Sequence, residues 1–102
     1  MTFGSLECVG DWPSDEPVRT TVVRRDQGAT TSFLVRHAAT CGLAARRPAY
    51  EFADGQLKLK YDLYTESGAV VMCECDYRSM FTFHKLPEIV QSASFEYSTD
   101  ER

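Results

Sequence analysis

The sequence predicts an all-β domain, an antiparallel β-sandwich, on three observations. Apolar side chains recur at every second position over most of the chain after Val18. Turn residues break those runs at Asp26-Gln27-Gly28, Asp54-Gly55 and Glu66-Ser67-Gly68. No stretch carries a sustained helical pattern. About six or seven short strands, each hairpin apolar on one face, require a second sheet to cover the first. A small closed β-barrel is the alternative. A chain of 102 residues holds one domain.

Residues 1 to 17 contain Gly4, Gly10, Pro13, Pro17 and four acids, which predicts an irregular N-terminal arm anchored by Cys8 and Trp12. The sandwich is expected over 18–98, with 99–102 a frayed tail. Val18, Thr20 and Val22 alternate with Arg19, Thr21 and Val23, and Thr30 to Arg36 reads as the returning strand. That hairpin sets Val22 opposite Phe33 and Arg19 opposite Arg36, an unfavourable like-charge pair unless an anion or partner lies between them. Residues 37 to 48 read as a crossover loop with marginal helix, interrupted by Gly42 and ended by Pro48.

A three-stranded meander is expected over 49–84. Asp54-Gly55 is a preferred two-residue turn, and it pairs Phe52 with Leu57, Tyr50 with Leu59 and Glu51 with Lys58. A three-residue loop at Glu66-Ser67-Gly68 then pairs Leu63 with Val71, Tyr61 with Cys73, Leu59 with Cys75 and Leu57 with Tyr77. It leaves Lys60 against Glu74 and Lys58 against Asp76 on the solvent face, whereas a one-residue slip would turn every apolar side chain outward. Alternation runs on through Ser79, Phe81 and Phe83. Leu86 to Val90 reads as a turn or short 3₁₀ piece, and Ala93, Phe95 and Tyr97 as a last strand. Phe33, Phe52, Phe81, Phe83 and Phe95 fall at strand spacing and are read as core. In size and strand count the expected sandwich resembles an immunoglobulin-like domain, a likeness of architecture that carries no function.

Fifteen acids against eleven bases give a net charge of −4, which opposes general nucleic-acid binding. No run approaches the roughly 20 apolar residues of a membrane span. Residues 17 to 50 nevertheless carry six arginines against Asp26. Arg19, Arg24 and Arg36 are therefore candidates for a surface that meets a protein or other anionic partner. A monomer or an edge-strand dimer fits the pattern.

Four cysteines in so small a domain, Cys8, Cys41, Cys73 and Cys75, suggest an oxidising compartment. No signal segment precedes Cys8. An extracytoplasmic placement, periplasmic or secreted, thus expects Met1 to stand where a leader was removed; otherwise the chain is cytoplasmic with reduced thiols. Cys73 and Cys75 share one strand face with α-carbons about 6.5 to 7 Å apart, at the limit of disulfide geometry. Each should bond a distant partner, Cys8 or Cys41, with two connectivities open. The alternative is a thiolate site for zinc or copper(I), from Cys41, Cys73, Cys75 and either Cys8 or His37. Buried reduced thiols and thiol redox chemistry complete the range. His37 and Cys41 would make a nucleophile and base only on a helix, and His84 reads as a strand-end surface residue. No phosphate loop, zinc-protease helix, calcium loop or nucleophile elbow is present. The expected function is a non-enzymatic, disulfide-stabilised binding or accessory domain without a cofactor.

Overall fold

The computed structural model describes residues 1–65, 71–86 and 89–99. Strands make up 74% of it and no helix occurs among the described residues. No helix there is long and apolar enough to cross a membrane. Eight strands run in chain order: β1 (Thr2–Phe3), β2 (Glu7–Asp11), β3 (Thr21–Gln27), β4 (Thr30–Cys41), β5 (Leu43–Ala53), β6 (Gln56–Thr65), β7 (Val71–Phe83) and β8 (Ser92–Thr99). They form two sheets packed face to face, a sandwich rather than a closed barrel. The larger sheet runs β1-β7-β4-β3, with β2 also on β7; the smaller runs β5-β6-β8.

The interior is where the alternation puts it. Phe33 and Val35 of β4, Phe81 and Phe83 of β7, and Leu57, Leu59, Tyr61 and Leu63 of β6 are all buried. Phe52 and Phe95 pack at its margin. The Asp54-Gly55 turn forms with both residues at positive φ, 52° and 77°, and the β5–β6 register is the expected one, Tyr50 opposite Leu59 and Phe52 opposite Leu57. Tyr50 itself stays exposed.

The second hairpin of the expected meander does not form. β7 leaves β6 and pairs with β4 in the opposite sheet, while β6 takes β8 as a parallel neighbour. A period of two specifies which face of a strand is buried but not which strand lies beside it. Leu57 to Leu63 and Cys75 to Phe83 point inward as expected, yet they meet across the core instead of along a ladder. The solvent-face charges re-pair accordingly: Lys60 with Glu51 at 2.7 Å and Lys58 with Glu96 at 3.7 Å. β8 starts beside the β5–β6 turn, where the Gly55 carbonyl accepts hydrogen bonds from the amides of Gln91 at 2.7 Å and Ser92 at 3.3 Å. The loop at Glu66-Ser67-Gly68, residues Pro87 and Glu88, and the tail from 100 to 102 lie outside the described residues.

Three further expectations are corrected. Residues 37 to 41 are no loop: β4 continues through them, paired with β7 from His37↔Tyr77 to Thr40↔Glu74. Pairing with β7 overrides the weak strand preference of Ala38 and Ala39. Gly42, at φ 83°, then turns the chain into β5, and Pro48 sits at an irregularity on that edge strand. In the β3–β4 hairpin the loop is Gly28-Ala29, with Gln27 opposite Thr30, so Val22 faces Val35 and Arg36 faces Thr21, not Arg19. Gly28, at φ 62°, takes the position that favours glycine. The N-terminal arm supplies β1 and β2, both antiparallel to β7, so the larger sheet reaches back beyond residue 18. Phe3 lies edge-on to Phe81 with ring centroids 5.1 Å apart.

Candidate functional site

Two clusters concentrate reactive or charged groups. The first lies where β2, β4 and β7 meet. Cys73 and Cys75 sit two apart on the inward face of β7, with β2 on one flank and the end of β4 on the other. Of the pairings left open, the structure holds Cys8–Cys75, with α-carbons 5.6 Å apart, and Cys41–Cys73, at 5.4 Å. Cys41 and Cys75 are buried with Tyr77, and Leu6, Ala39, Leu43 and Cys73 pack around them. The Tyr77 hydroxyl donates to the Thr40 carbonyl at 2.8 Å and accepts from the Leu43 amide at 3.0 Å, tying the β4–β5 turn to the bridges. The Asp11 carboxylate lies within 4.8 Å of the Cys41 and Cys73 sulfurs, a neighbour that sequence spacing gave no means of finding.

His37 is not in this cluster. It is fully buried in the core, stacked near Phe95 at 5.3 Å and Tyr77 at 5.6 Å, with Tyr97 at 4.9 Å. Its Nδ1 donates to the Ala38 carbonyl at 3.4 Å, which leaves Nε2 to accept from the Tyr61 hydroxyl at 2.5 Å. Tyr61 in turn accepts from Ser79 at 3.2 Å. Burial lowers the His37 pKa, against the raising effects of the Ala38 hydrogen bond and the Asp76 charge. Burial also raises that of Tyr61. On a strand, His37 and Cys41 lie roughly 13 Å apart, too far for a nucleophile and its base.

The second cluster covers the outer face of the larger sheet. Residues 12 to 16 fold over it: Trp12 is buried, its amide donates to the Glu74 carbonyl at 2.9 Å, and its indole donates to the Glu16 carbonyl at 3.0 Å. Arg36 lies 4.3 Å from the Trp12 ring centroid. It binds Glu16 at 2.6 Å and Asp76 at 3.0 Å. The like-charge pair of this sheet is Arg36 opposite Arg78, and the Asp76 carboxylate relieves it by pairing with both, at 3.0 and 3.3 Å. Asp76 was expected in solvent, but only 4% of it is exposed. Burial raises its pKa, and the hydrogen bonds from Arg36 and Arg78 outweigh that and hold it below the ordinary value. Glu16 is lowered mainly by its hydrogen bond with Arg36, and Arg36 is raised by Glu16 and Asp76.

Both carboxylates have depressed pKa values in the folded chain, so their contribution is present above the unfolded carboxylate pKa and is lost as pH falls through the folded one. Arg36→Met is therefore expected to lower the melting temperature at neutral pH, with the gap to wild type closing in strong acid. Paired thermal melts across that range check it; a gap that does not change with pH would assign the loss to packing on Trp12.

Of the three candidate arginines, Arg19 and Arg36 share the Glu16 carboxylate, while Arg24 lies elsewhere. Arg24 lies opposite the inward-facing Phe33, pairs with Asp26 at 3.1 Å and reaches the Val90 carbonyl at 3.3 Å. Arg19 is exposed and lies 4.0 Å from Glu16. Arg36 instead borders a trough of about 280 Å³ lined by Thr21, Val23, Arg25, Leu34 and Arg78. Val23 and Met80 are exposed on this face, beside the outer edge of β3, which pairs with no strand among the described residues. Val23 and Leu34 lie directly opposite each other there. No family model matches the chain, and no curated protein or solved structure matches it.

Proposed function

We propose that this chain is a non-enzymatic, disulfide-stabilised binding domain of the cell envelope or secreted space, and that its partner is an extended, acidic protein segment studded with apolar side chains. The observation that carries this reading is the trough lined by Val23, Leu34, Arg25 and Arg78, beside an edge of β3 that pairs with no strand among the described residues. An edge strand offers free backbone donors and acceptors to an incoming strand. The side chains of such a strand would enter the trough alternately. Charge selects the occupant: β3 carries Arg24 and Arg25 with Asp26, and Asp26 is already paired with Arg24. A second copy of β3 would set arginine near arginine, whereas an acidic strand is attracted. The two bridges support the placement, since disulfides persist in oxidising compartments.

The test is fluorescence anisotropy with a short labelled peptide in which glutamates alternate with valine and leucine, against a matched lysine peptide. The acidic peptide is expected to bind the oxidised protein, with affinity falling as salt rises. Arg25→Glu and Val23→Asp should each weaken it about tenfold or more. Equal binding of both peptides, or unchanged binding by both variants, would overturn the proposal.

A further inference from the structure

We propose that the reduced protein holds a zinc-class divalent ion in a tetrathiolate site made of Cys8, Cys41, Cys73 and Cys75. Two independent staples need not touch, yet here three of the four sulfurs meet in one place and the fourth is bonded to one of them. The sulfurs of Cys8, Cys41 and Cys75 lie within 4.8 Å of one another. Those of Cys41 and Cys75, which belong to different bridges, are 2.7 Å apart. Cys73 joins the group through Cys41. The sheet builds the arrangement: β7 supplies two donors from one face, and β2 and β4, on its two flanks, supply one each.

A tetrahedral site with metal–sulfur bonds of about 2.3 Å sets its sulfurs roughly 3.8 Å apart. Small side-chain displacements bring the Cys8, Cys41 and Cys75 sulfurs to that spacing, and rotation of the Cys73 side chain, once released from Cys41, supplies the fourth ligand while the strands stay in place. The chemistry balances. A thiol or phosphine reductant gives four electrons to the two disulfides, four protons are taken up, and four thiols result. One divalent ion then displaces those four protons and leaves a centre of net charge −2. Four thiolates select zinc-class ions over magnesium or calcium, which prefer oxygen donors. Cys41 and Cys75 are buried and Cys8 is exposed, so the ion enters from the β2 side, past Asp11.

The experiment reduces the purified protein with excess phosphine without oxygen and titrates Co²⁺, then Zn²⁺, following absorbance, circular dichroism and native mass. One Co²⁺ per chain is expected, with the visible bands of a tetrahedral thiolate centre and near-ultraviolet charge transfer, both bleached by Zn²⁺. If the reduced chain unfolds first, the metal should restore the β-sheet spectrum along with those bands. Cys75→Ser should weaken metal binding by about a hundredfold or more. A reduced chain that takes up neither ion, folded or unfolded, would overturn the proposal, as would wild-type affinity in Cys75→Ser. The wild-type titration decides even if that variant does not fold. Peptide binding at β3 is measured on the oxidised protein, so either proposal can fail without the other.

Discussion

Replacing Cys41 and Cys73 together with alanine is expected to lower the unfolding free energy by about 3 to 4 kcal/mol, with Cys8–Cys75 intact. The bridge spans a sequence separation of 32, and the entropy lost by closing a loop of that size in the unfolded chain sets the figure. Cys8–Cys75 spans 67, and its loop contains the other bridge. Each bridge therefore shortens what the other leaves open, and removing Cys8–Cys75 alone should cost a similar amount rather than more. Losing both should exceed the sum of the single losses, because the second loss then frees the longer loop. Stabilities of small domains run to about 5–15 kcal/mol, so the doubly reduced, metal-free chain should be marginal or unfolded at physiological temperature. Denaturant unfolding of the two double-alanine variants and of the fully reduced protein measures all three quantities. A loss below about 1 kcal/mol on removing either bridge would mean that the strands hold this end of the sandwich unaided.

Acidification should destabilise the oxidised protein in a window well above that of the carboxylates, and His37 should be the cause. The ring is fully buried, and that burial holds its folded pKa below the ordinary imidazole value. The unfolded chain thus takes up a proton that the folded chain refuses. Stability is at its full value above the unfolded pKa, falls as pH drops below it, and stops falling once the folded pKa is passed. The slope within that window approaches about 1.4 kcal/mol per pH unit. The groups packed around His37 do not reverse the sign. The rings of Tyr61 from β6, Tyr77 from β7 and Tyr97 from β8 pack against it, and the nearby charge that favours protonation, Asp76 on β7, is outweighed by burial. Denaturant midpoints for wild type and His37→Gln from pH 8 to pH 5 give the test. Wild type should slope downward below about pH 6.5, and the variant, although less stable at neutral pH, should be flat there. Parallel slopes in both proteins would remove His37 from the cause.

What could be read from the residues was the set of faces. Asp54-Gly55 specified its own turn and, with Tyr50, Phe52, Leu57 and Leu59, its register, because turn chemistry and apolar pairing agreed locally. Cys73 and Cys75 could be assigned to separate distant partners because two positions on one strand face share a side but stand too far apart to bond easily. Neighbours in the sheet were a different matter. Leu59 and Cys75 both point inward, and alternation alone cannot tell a hydrogen-bonded partner from a residue across the core. The continuation of β4 through Ala38 to Cys41 was equally hidden, since it depends on β7 lying alongside. Asp76 looked like a solvent charge for the same reason. Residues 12 to 16 fold over this face, with Trp12 over Arg36, the guanidinium that pairs with Asp76.

The most direct measurement is disulfide mapping of the unreduced protein after cleavage on the C-terminal side of glutamate, since a cut after Glu74 parts Cys73 from Cys75 and a cut after Glu7 frees the Cys8 peptide. Cross-linked fragments joining Cys8 to Cys75 and Cys41 to Cys73 are expected. Fragments joining Cys73 to Cys75, or Cys8 to Cys41, would contradict the placement of both β7 sulfurs against separate strands.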